Sequence, residues 1–261
     1  MNYTGYIQST ITPEHYVLGG LAVPTKVVRS NGNWSFGLPE VEYQNRTTFD
    51  TFNCTGFNTL NQIETYMRVV FGGDYNYSDR WVGIIAGTRP PGNDPQTVYE
   101  AIRKHGLIPE EMLPFDADLS SVEEYYSFKH VNEAECRAEG QRWLQKYDLL
   151  HEWVFSIDQP WDEKKNNMKV ALKYSPLALA VYAWTQDEKG VYIRLGNDCH
   201  WTFCYNYDDL QRIFDSYDPA LKPVDQEIFY CKRIHIDLKT QIKQSWWQTF
   251  ITNLFRYLHV R

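Results

Sequence analysis

Phe57, Leu60, Ile63 and Met67 recur at helical spacing, which predicts an amphipathic helix from Cys54 to about Phe71 with one buried face. Asn53 stands at its N-cap position, and Gly72-Gly73-Asp74 ends it. Ser78 to Val82 opens a second, short helical segment. A third runs from Gln96 to Lys104, with Val98, Ala101 and Ile102 on one side and Gly106 as its stop. Leu107 to Phe115 reads as extended, and about Asn132 to Tyr147 as a charged helix. Leu149 to Ile157 has the texture of a strand, and Glu163 to Tyr174 reads as a helix stopped by Ser175-Pro176. After that the pattern turns to β. Leu177 to Trp184 and Gly190 to Ile193 are strands, while His200 to Tyr207, the turn Asp208-Asp209 and Arg212 to Asp215 form a hairpin whose first strand starts at His200.

The predicted class is therefore α+β. It has an irregular extension over about residues 1–38, a helical lobe over about 39–148 and a β-rich lobe over about 149–240, with a cleft between the lobes. Beyond them, residues 241–261 place Trp246, Trp247, Phe250, Ile251, Leu254, Phe255 and Leu258 on one helical stripe. Two readings stay open for that stripe. It packs on its own domain, or it serves a protein partner or self-association.

Composition narrows the function classes. The net charge is −7 and no basic run is present, which argues against a nucleic-acid partner. No apolar stretch reaches the roughly 18–20 residues of a membrane span. The first residues, Met1-Asn2-Tyr3-Thr4-Gly5-Tyr6, have neither the basic nor the apolar region of a signal peptide, so a cytoplasmic or virion-associated location is expected. Five cysteines, an odd number at irregular spacing, argue against a disulfide framework and against a zinc site. The aromatic share, 16% with 19 Tyr and 9 Trp, suits a wide polar-aromatic cleft.

The candidate chemistry begins at Cys54. A cysteine in the first turn of a helix faces the positive end of the macrodipole and the unpaired N–H groups there, and both favour the thiolate. A thiolate nucleophile needs a base, and the base needs an orienting group. Among seven histidines, His200 is singled out because a residue at a strand start projects into a cleft. Fifteen positions later, at the far end of the hairpin, Asp215 falls beside it. Asp215 can accept one ring N–H of His200 and leave the other nitrogen to Cys54. Asp218 is the second choice of orienter, with an Asx-turn role available before Pro219. Taken singly, Cys54 and His200 also read as buried structural residues, and Asp215 as a turn acid.

These residues stand in the order of a known family. Asn53-Cys54-Thr55-Gly56-Phe57-Asn58 resembles the Ser-Cys-Trp-Ala-Phe-Ser of papain-like cysteine peptidases. Gly92-Asn93, the following helix, Gly106-Leu107 and Pro109-Glu110 to Pro114-Phe115 resemble the family's Gly-Gly-Asn to Tyr-Pro-Tyr run. Ala171 to Ala180 is similar to its Ala-Leu, Gly-Pro-Val-Ala-Val-Ala segment. Cys54 to His200 is 146 positions, against about 130–150 in the family. Cys54 to Asp215 is 161 positions.

The resemblance covers most of residues 39–219 and is to the diverged members of bacteria and phages. It implies a two-lobed fold, peptide-bond hydrolysis through Cys54, His200 and Asp215, a peptide or protein substrate, and no cofactor or metal. Gly92 and Asn93 match the segment that pairs with extended substrate backbone. The departures are specific. Thr51 stands at the family's extra cysteine, Thr55 at its Trp, Asp215 at its orienting Asn and Thr48 at its oxyanion-hole Gln. Gln44, ten residues before Cys54, is the nearest glutamine and is carried over as the oxyanion donor, with Asn45 and Asn53 as fallbacks. No room remains for a long inhibitory segment, so control is expected to lie elsewhere. Two other classes stay open. One is an amidase or acyltransferase using the same residues. The other is a non-enzymatic structural or binding protein, such as a virion component, that keeps the fold.

Overall fold

The computed structural model describes residues 5–12, 15, 26–45, 49–115 and 118–239. The C-terminal stripe at 241–261 and Thr48 lie outside the described residues. Six helices are described: α1 (Cys54–Phe71), α2 (Asp79–Ile85), α3 (Pro95–His105), α4 (Val122–Tyr125), α5 (Glu133–Lys146) and α6 (Trp161–Ala171). The strands are β1 (Gly5–Tyr6), β2 (Gly92–Asn93), β3 (Tyr147–Trp153), β4 (Leu177–Gln186), β5 (Tyr192–Tyr207), β6 (Gln211–Phe214), β7 (Leu221–Asp225) and β8 (Tyr230–Leu238). β3 to β8 form one six-stranded sheet in the order β3-β8-β4-β5-β6-β7, and β1 pairs with β2. The chain is α+β, with a helical lobe carrying α1 and a largely antiparallel β-rich lobe.

α1 has the expected bounds but not the expected single buried face. Every residue from Cys54 to Met67 is buried, polar ones included. The helix lies between the helical layer and the sheet, so its polar side need not meet water. It meets partners instead. Asn58 Nδ2 donates to the carbonyls of Cys54 (3.1 Å) and Trp201 (2.8 Å) and to Ser216 Oγ (3.1 Å). Gln62 Nε2 donates to the carbonyls of Pro176 (2.8 Å) and Lys232 (3.0 Å). Glu64 accepts the Tyr77 N–H at 2.7 Å. Buried polar groups are tolerated when hydrogen-bonded, and here they tie α1 to both lobes.

β5 corrects a boundary. Gly196-Asn197-Asp198-Cys199 has the composition of a turn, yet β5 runs unbroken for 16 residues. Arg194 pairs with Trp184 and Cys199 with Tyr182, so the four residues between them face Ala183 alone. The irregularity is absorbed as a bulge within the ladder, which bends the strand without ending it. His200 therefore lies mid-strand, paired with Val181, and does not start a strand. β3 is shorter than expected, ending at Trp153, and α6 begins earlier, at Trp161 after Pro160.

Candidate active site

The approach to Cys54 is held from several sides. Tyr126 Oη donates to the Thr51 carbonyl at 2.6 Å. Asn53 occupies the N-cap position, but its side chain does not cap α1. Nδ2 donates instead to the Asp79 carbonyl (3.0 Å) and Tyr125 Oη (2.8 Å), pinning the turn to α2 and α4. The Asn53 side chain is thus committed to the fold and does not face an oxyanion. Phe52 has φ +57°, the left-handed region, which costs a bulky residue on the order of 1–3 kcal/mol. Its N–H is held by Asp50 Oδ1 at 2.8 Å.

His200 comes to this turn from β5. Its Nε2 lies 2.6 Å from Asp215 Oδ1, and both side chains are buried. With Nε2–H donating to the carboxylate, Nδ1 is the nitrogen left for the sulfur. The Cys54 sulfur lies close enough to the His200 ring to raise its pKa. Trp184 stands edge-on to the imidazole at 5.8 Å between ring centroids, and Tyr217 is tilted against it at 5.3 Å. Burial pulls the His200 pKa down. The charges of Asp215 and Cys54 and the hydrogen bonds to both outweigh it and raise it to about 10. Burial likewise pushes Asp215 up, but the His200 and Lys222 charges prevail and hold it below the usual carboxylate value. Asp218 takes no part. Its Oδ1 accepts from Tyr43 Oη at 3.0 Å, at the surface.

The structure brings together Cys54, His200 and Asp215. It places Gln44 close by but turned to other partners. Gln44 Nε2 donates to Asp50 Oδ1 (2.9 Å) and Tyr217 Oη (2.7 Å), and its Oε1 accepts from Ser216 Oγ (2.8 Å). A fully buried amide must satisfy both donors, and Asp50 and Tyr217 do so. In this state Gln44 braces the Asp50 and Ser216–Tyr217 segments and offers no N–H to a substrate oxygen.

Gly92 and Asn93 already carry an extended strand. β1 pairs with β2 in parallel, Gly5 opposite Gly92 and Tyr6 opposite Asn93, and the Ile7 N–H donates to the Asn93 carbonyl at 2.8 Å. A Cβ on Gly92 (φ +141°) would meet the Gly5 backbone at 2.2 Å, and one on Gly5 (φ +127°) would meet Cys54 Sγ at 2.9 Å. Only glycines allow this approach. The Tyr6 ring stacks on Trp201 at 5.8 Å, Gln8 Nε2 donates to Tyr230 Oη at 2.8 Å, and Ser9 Oγ binds Asp94. The Asn93 side chain is used by its own loop, donating to the Ala86 carbonyl and Thr88 Oγ1. The chain's own residues 5–9 thus lie across Cys54.

Reasoning from sequence missed Lys222, buried beside Asp215 with Nζ 2.8 Å from Oδ2. The signal was there in Leu221-Lys222-Pro223-Val224-Asp225, where Lys222 and Val224 share the inward face of a strand. Asp50, Asn58 and Trp184 were also missed, and nothing in their local pattern marks them.

A helix bearing the cysteine, packed against a sheet that presents a histidine from one strand and an acid just past the end of its neighbour, matches many solved structures. This is the papain-like fold. Xylellain, a cysteine protease from Xylella fastidiosa, superposes with TM-score 0.60 at 13% identity, over 92% of this chain and 96% of that one. A clostridial cysteine protease after propeptide cleavage gives 0.57 at 12%, over 79% and 57%. Bromelain from Ananas comosus gives 0.53 at 13%, over 77% and 96%. No protein-family profile and no curated sequence matches the chain. At these identities the likeness to papain-like structures is one of fold. Among the described residues no cluster of three His, Cys, Asp or Glu is placed to hold a metal, and no helix is long and apolar enough to cross a membrane.

Proposed function

We propose that the chain is a cysteine peptidase. The observation that carries this reading is the Cys54–His200–Asp215 line, with the histidine pKa raised between a sulfur and a carboxylate. The raised imidazole stands beside the sulfur as the proton-carrying partner that a cysteine nucleophile needs. The thiolate attacks the scissile carbonyl carbon, the C–S bond forms, and charge builds on the carbonyl oxygen. The Cys54 N–H, at the start of α1, is the donor for that oxygen. Gln44 joins it only if its amide leaves Asp50 and Tyr217. The imidazolium proton passes to the amine as the C–N bond breaks. His200 then takes a proton from water, the water oxygen attacks the thioester, and the thiolate leaves.

A peptide substrate is favoured over a small amide by one feature. The Gly92–Asn93 segment already pairs with extended main chain, that of residues 5–7. The bound state of Gln44 favours the second reading, a binding protein that keeps the fold, since one missing oxyanion donor costs about 10²–10³ in rate.

The test is competitive alkylation near pH 6, with limiting iodoacetamide and with a peptidyl epoxide, read by mass spectrometry. It is run on the full chain, on Gly5→Val, in which the strand over the sulfur no longer fits, and on His200→Ala. Cys199 is the most accessible of the five cysteines and the other four are buried, so labelling ordered by exposure starts there. We expect Cys54 to lead and His200→Ala to abolish that lead. Labelling that begins at Cys199 in both the full chain and Gly5→Val would overturn the peptidase reading and leave the binding protein.

A further inference from the structure

Asp215 is fully buried and faces a cation on each side. Its Oδ1 meets His200 Nε2 at 2.6 Å, the Ser216 N–H at 2.9 Å and Thr202 Oγ1 at 3.3 Å. Its Oδ2 meets Lys222 Nζ at 2.8 Å. Lys222 is 3% exposed. Its three N–H donors have three acceptors, namely Asp215 and the carbonyls of Tyr217 (2.7 Å) and Pro219. The β6–β7 hairpin sets this up. Ile213 pairs with Lys222, and the Asp215 N–H donates to the Ala220 carbonyl at 2.8 Å, so acid and lysine close on each other across the turn. The Lys222 ammonium also lies 5.3 Å from the centre of the Trp184 ring, the ring that stands edge-on to His200.

A buried lysine is expensive unless something requires it. Orienting His200 does not, because Oδ1 alone reaches Nε2. What one carboxylate cannot do is orient the ring without also adding a full negative charge beside it in a low-dielectric site. We infer that Lys222 is a positioning residue of the active site, neutralising Asp215 so that the carboxylate aims the imidazole without dominating the thiolate–imidazolium balance. Lys222 then offsets part of the carboxylate charge that His200 feels, while Asp215 Oδ1 keeps its fixed aim on Nε2. This rests on Cys54 and His200 acting as the reactive pair.

The groups facing His200 and Asp215 are few. Cys54 comes from α1, and Lys222 from β7. Asp50, from the turn before α1, is hydrogen-bonded to Tyr217. The phenols are Tyr217 and Tyr43, the latter bonded to Asp218. Among the described residues, Lys222 is the cation that contacts the Oδ2 side.

The test reads the pH profile of Cys54 alkylation in Lys222→Met, Asp215→Asn and the double variant. Removing the cation leaves net negative charge. It disfavours thiolate formation and also proton loss from the imidazolium, so both limbs of the bell move up by about one pH unit. Asp215→Asn leaves net positive charge, and both limbs move down by a similar amount. The double variant is neutral again, and its limbs return to the wild-type positions. A structural role for Lys222 would lower amplitude or stability but would not shift the whole profile up in Lys222→Met and down in Asp215→Asn. A Lys222→Met profile superimposed on wild type, or a double variant that keeps the Asp215→Asn shift, overturns the inference. If Lys222→Met does not fold, the Asp215→Asn and double profiles decide alone: limbs about one unit apart support the inference, and coincidence overturns it. Failure of the reactive pair itself looks different, since Cys54 would then show no selective alkylation at any pH in either the full chain or Gly5→Val.

Discussion

Two clusters among the described residues are made of one histidine, one acid and one lysine, one of them with its acid buried and the other with its acid exposed, and they are protonated in opposite ways. At the cleft the acid is in the middle, with Asp215 between His200 and Lys222. In the other cluster the histidine is in the middle. His151 Nε2 meets Glu100 Oε1 at 2.9 Å, and Lys232 Nζ lies 3.0 Å from His151 Nδ1. There burial and the Lys232 charge drive the His151 pKa down to about 3, against the pull of Glu100. Burial takes Lys232 down to about 7, although Asp94, Glu100 and Glu152 oppose it. Lys232 also donates to Gln96 Oε1 at 2.6 Å and sits 3.9 Å over the Trp153 ring. The same three side-chain types thus give a charged histidine in one place and a neutral one in the other. Order along the line, the sulfur of Cys54 beside His200 and the burial of the acid together set where the proton sits. A central anion stabilises two cations, whereas a central imidazole beside an ammonium must stay neutral to accept its N–H.

His200→Ala breaks the comparison most severely. It should slow Cys54 alkylation near pH 6 by about 10²–10⁴, the range for losing a positioned acid–base group. His151→Ala should leave that rate within about twofold, since it touches neither the sulfur nor Asp215. Equal losses in both variants would mean that neither histidine is special.

Gly5→Val sharpens the comparison from the cleft side. The side chain has no room against Cys54 Sγ and the backbone there has φ +127°, so β1 should leave its place. Stopped-flow alkylation of Cys54 should accelerate by about tenfold, the equivalent of roughly 1.4 kcal/mol of strand docking. Unchanged rates would mean that β1 does not guard the sulfur.

Stability against pH separates the clusters next. The folded pKa of His200 lies above its unfolded value of about 6.5. Its contribution is therefore fully present below that pH and is lost as pH rises toward about 10. Lys232 has the opposite sign. Its folded pKa is about 7 and its unfolded value about 10.4, so its burial penalises folding below pH 7 and the penalty disappears as pH rises through that window. Thermal melts at pH 6 and pH 9.5 should show His200→Gln losing more at pH 6, and Lys232→Met faring better relative to wild type at pH 6 than at pH 9.5. Shifts of about 2–4 °C per kcal/mol are expected for a chain of this size. Identical pH slopes in both variants would contradict the assignment of protons.

The smallest effect belongs to Asp218→Asn. Its partner is Tyr43 at the surface, so Cys54 alkylation should stay within about twofold of wild type. A large loss would move the orienting role from Asp215 to Asp218.

Much of the layout could be read along the chain. The helix from Cys54 to Phe71, the short helix after Ser78, the helix ending at Gly106 and the hairpin joining His200 to Asp215 each rest on local periodicity, caps and turns. Residues seven to fifteen apart on a hairpin meet because the turn makes them meet, which is why Asp215 was legible beside His200. Gln44 was not legible in the same way. Its distance from Cys54 was readable, but its partners, Asp50, Tyr217 and Ser216, come largely from another lobe.

By itself the sequence determined the class, α+β, the identity of the nucleophile candidate and the hairpin that pairs His200 with Asp215, because these depend on contacts between near neighbours. Only the tertiary structure decided the rest. It buried the polar side of α1 and converted a turn-like run into a bulge. It also laid residues 5–9 over Cys54 and set Lys222 against Asp215. Each of these depends on what approaches from far along the chain. A side chain's protonation, and an amide's choice of partner, follow from the groups that surround it after folding rather than from those beside it in the chain.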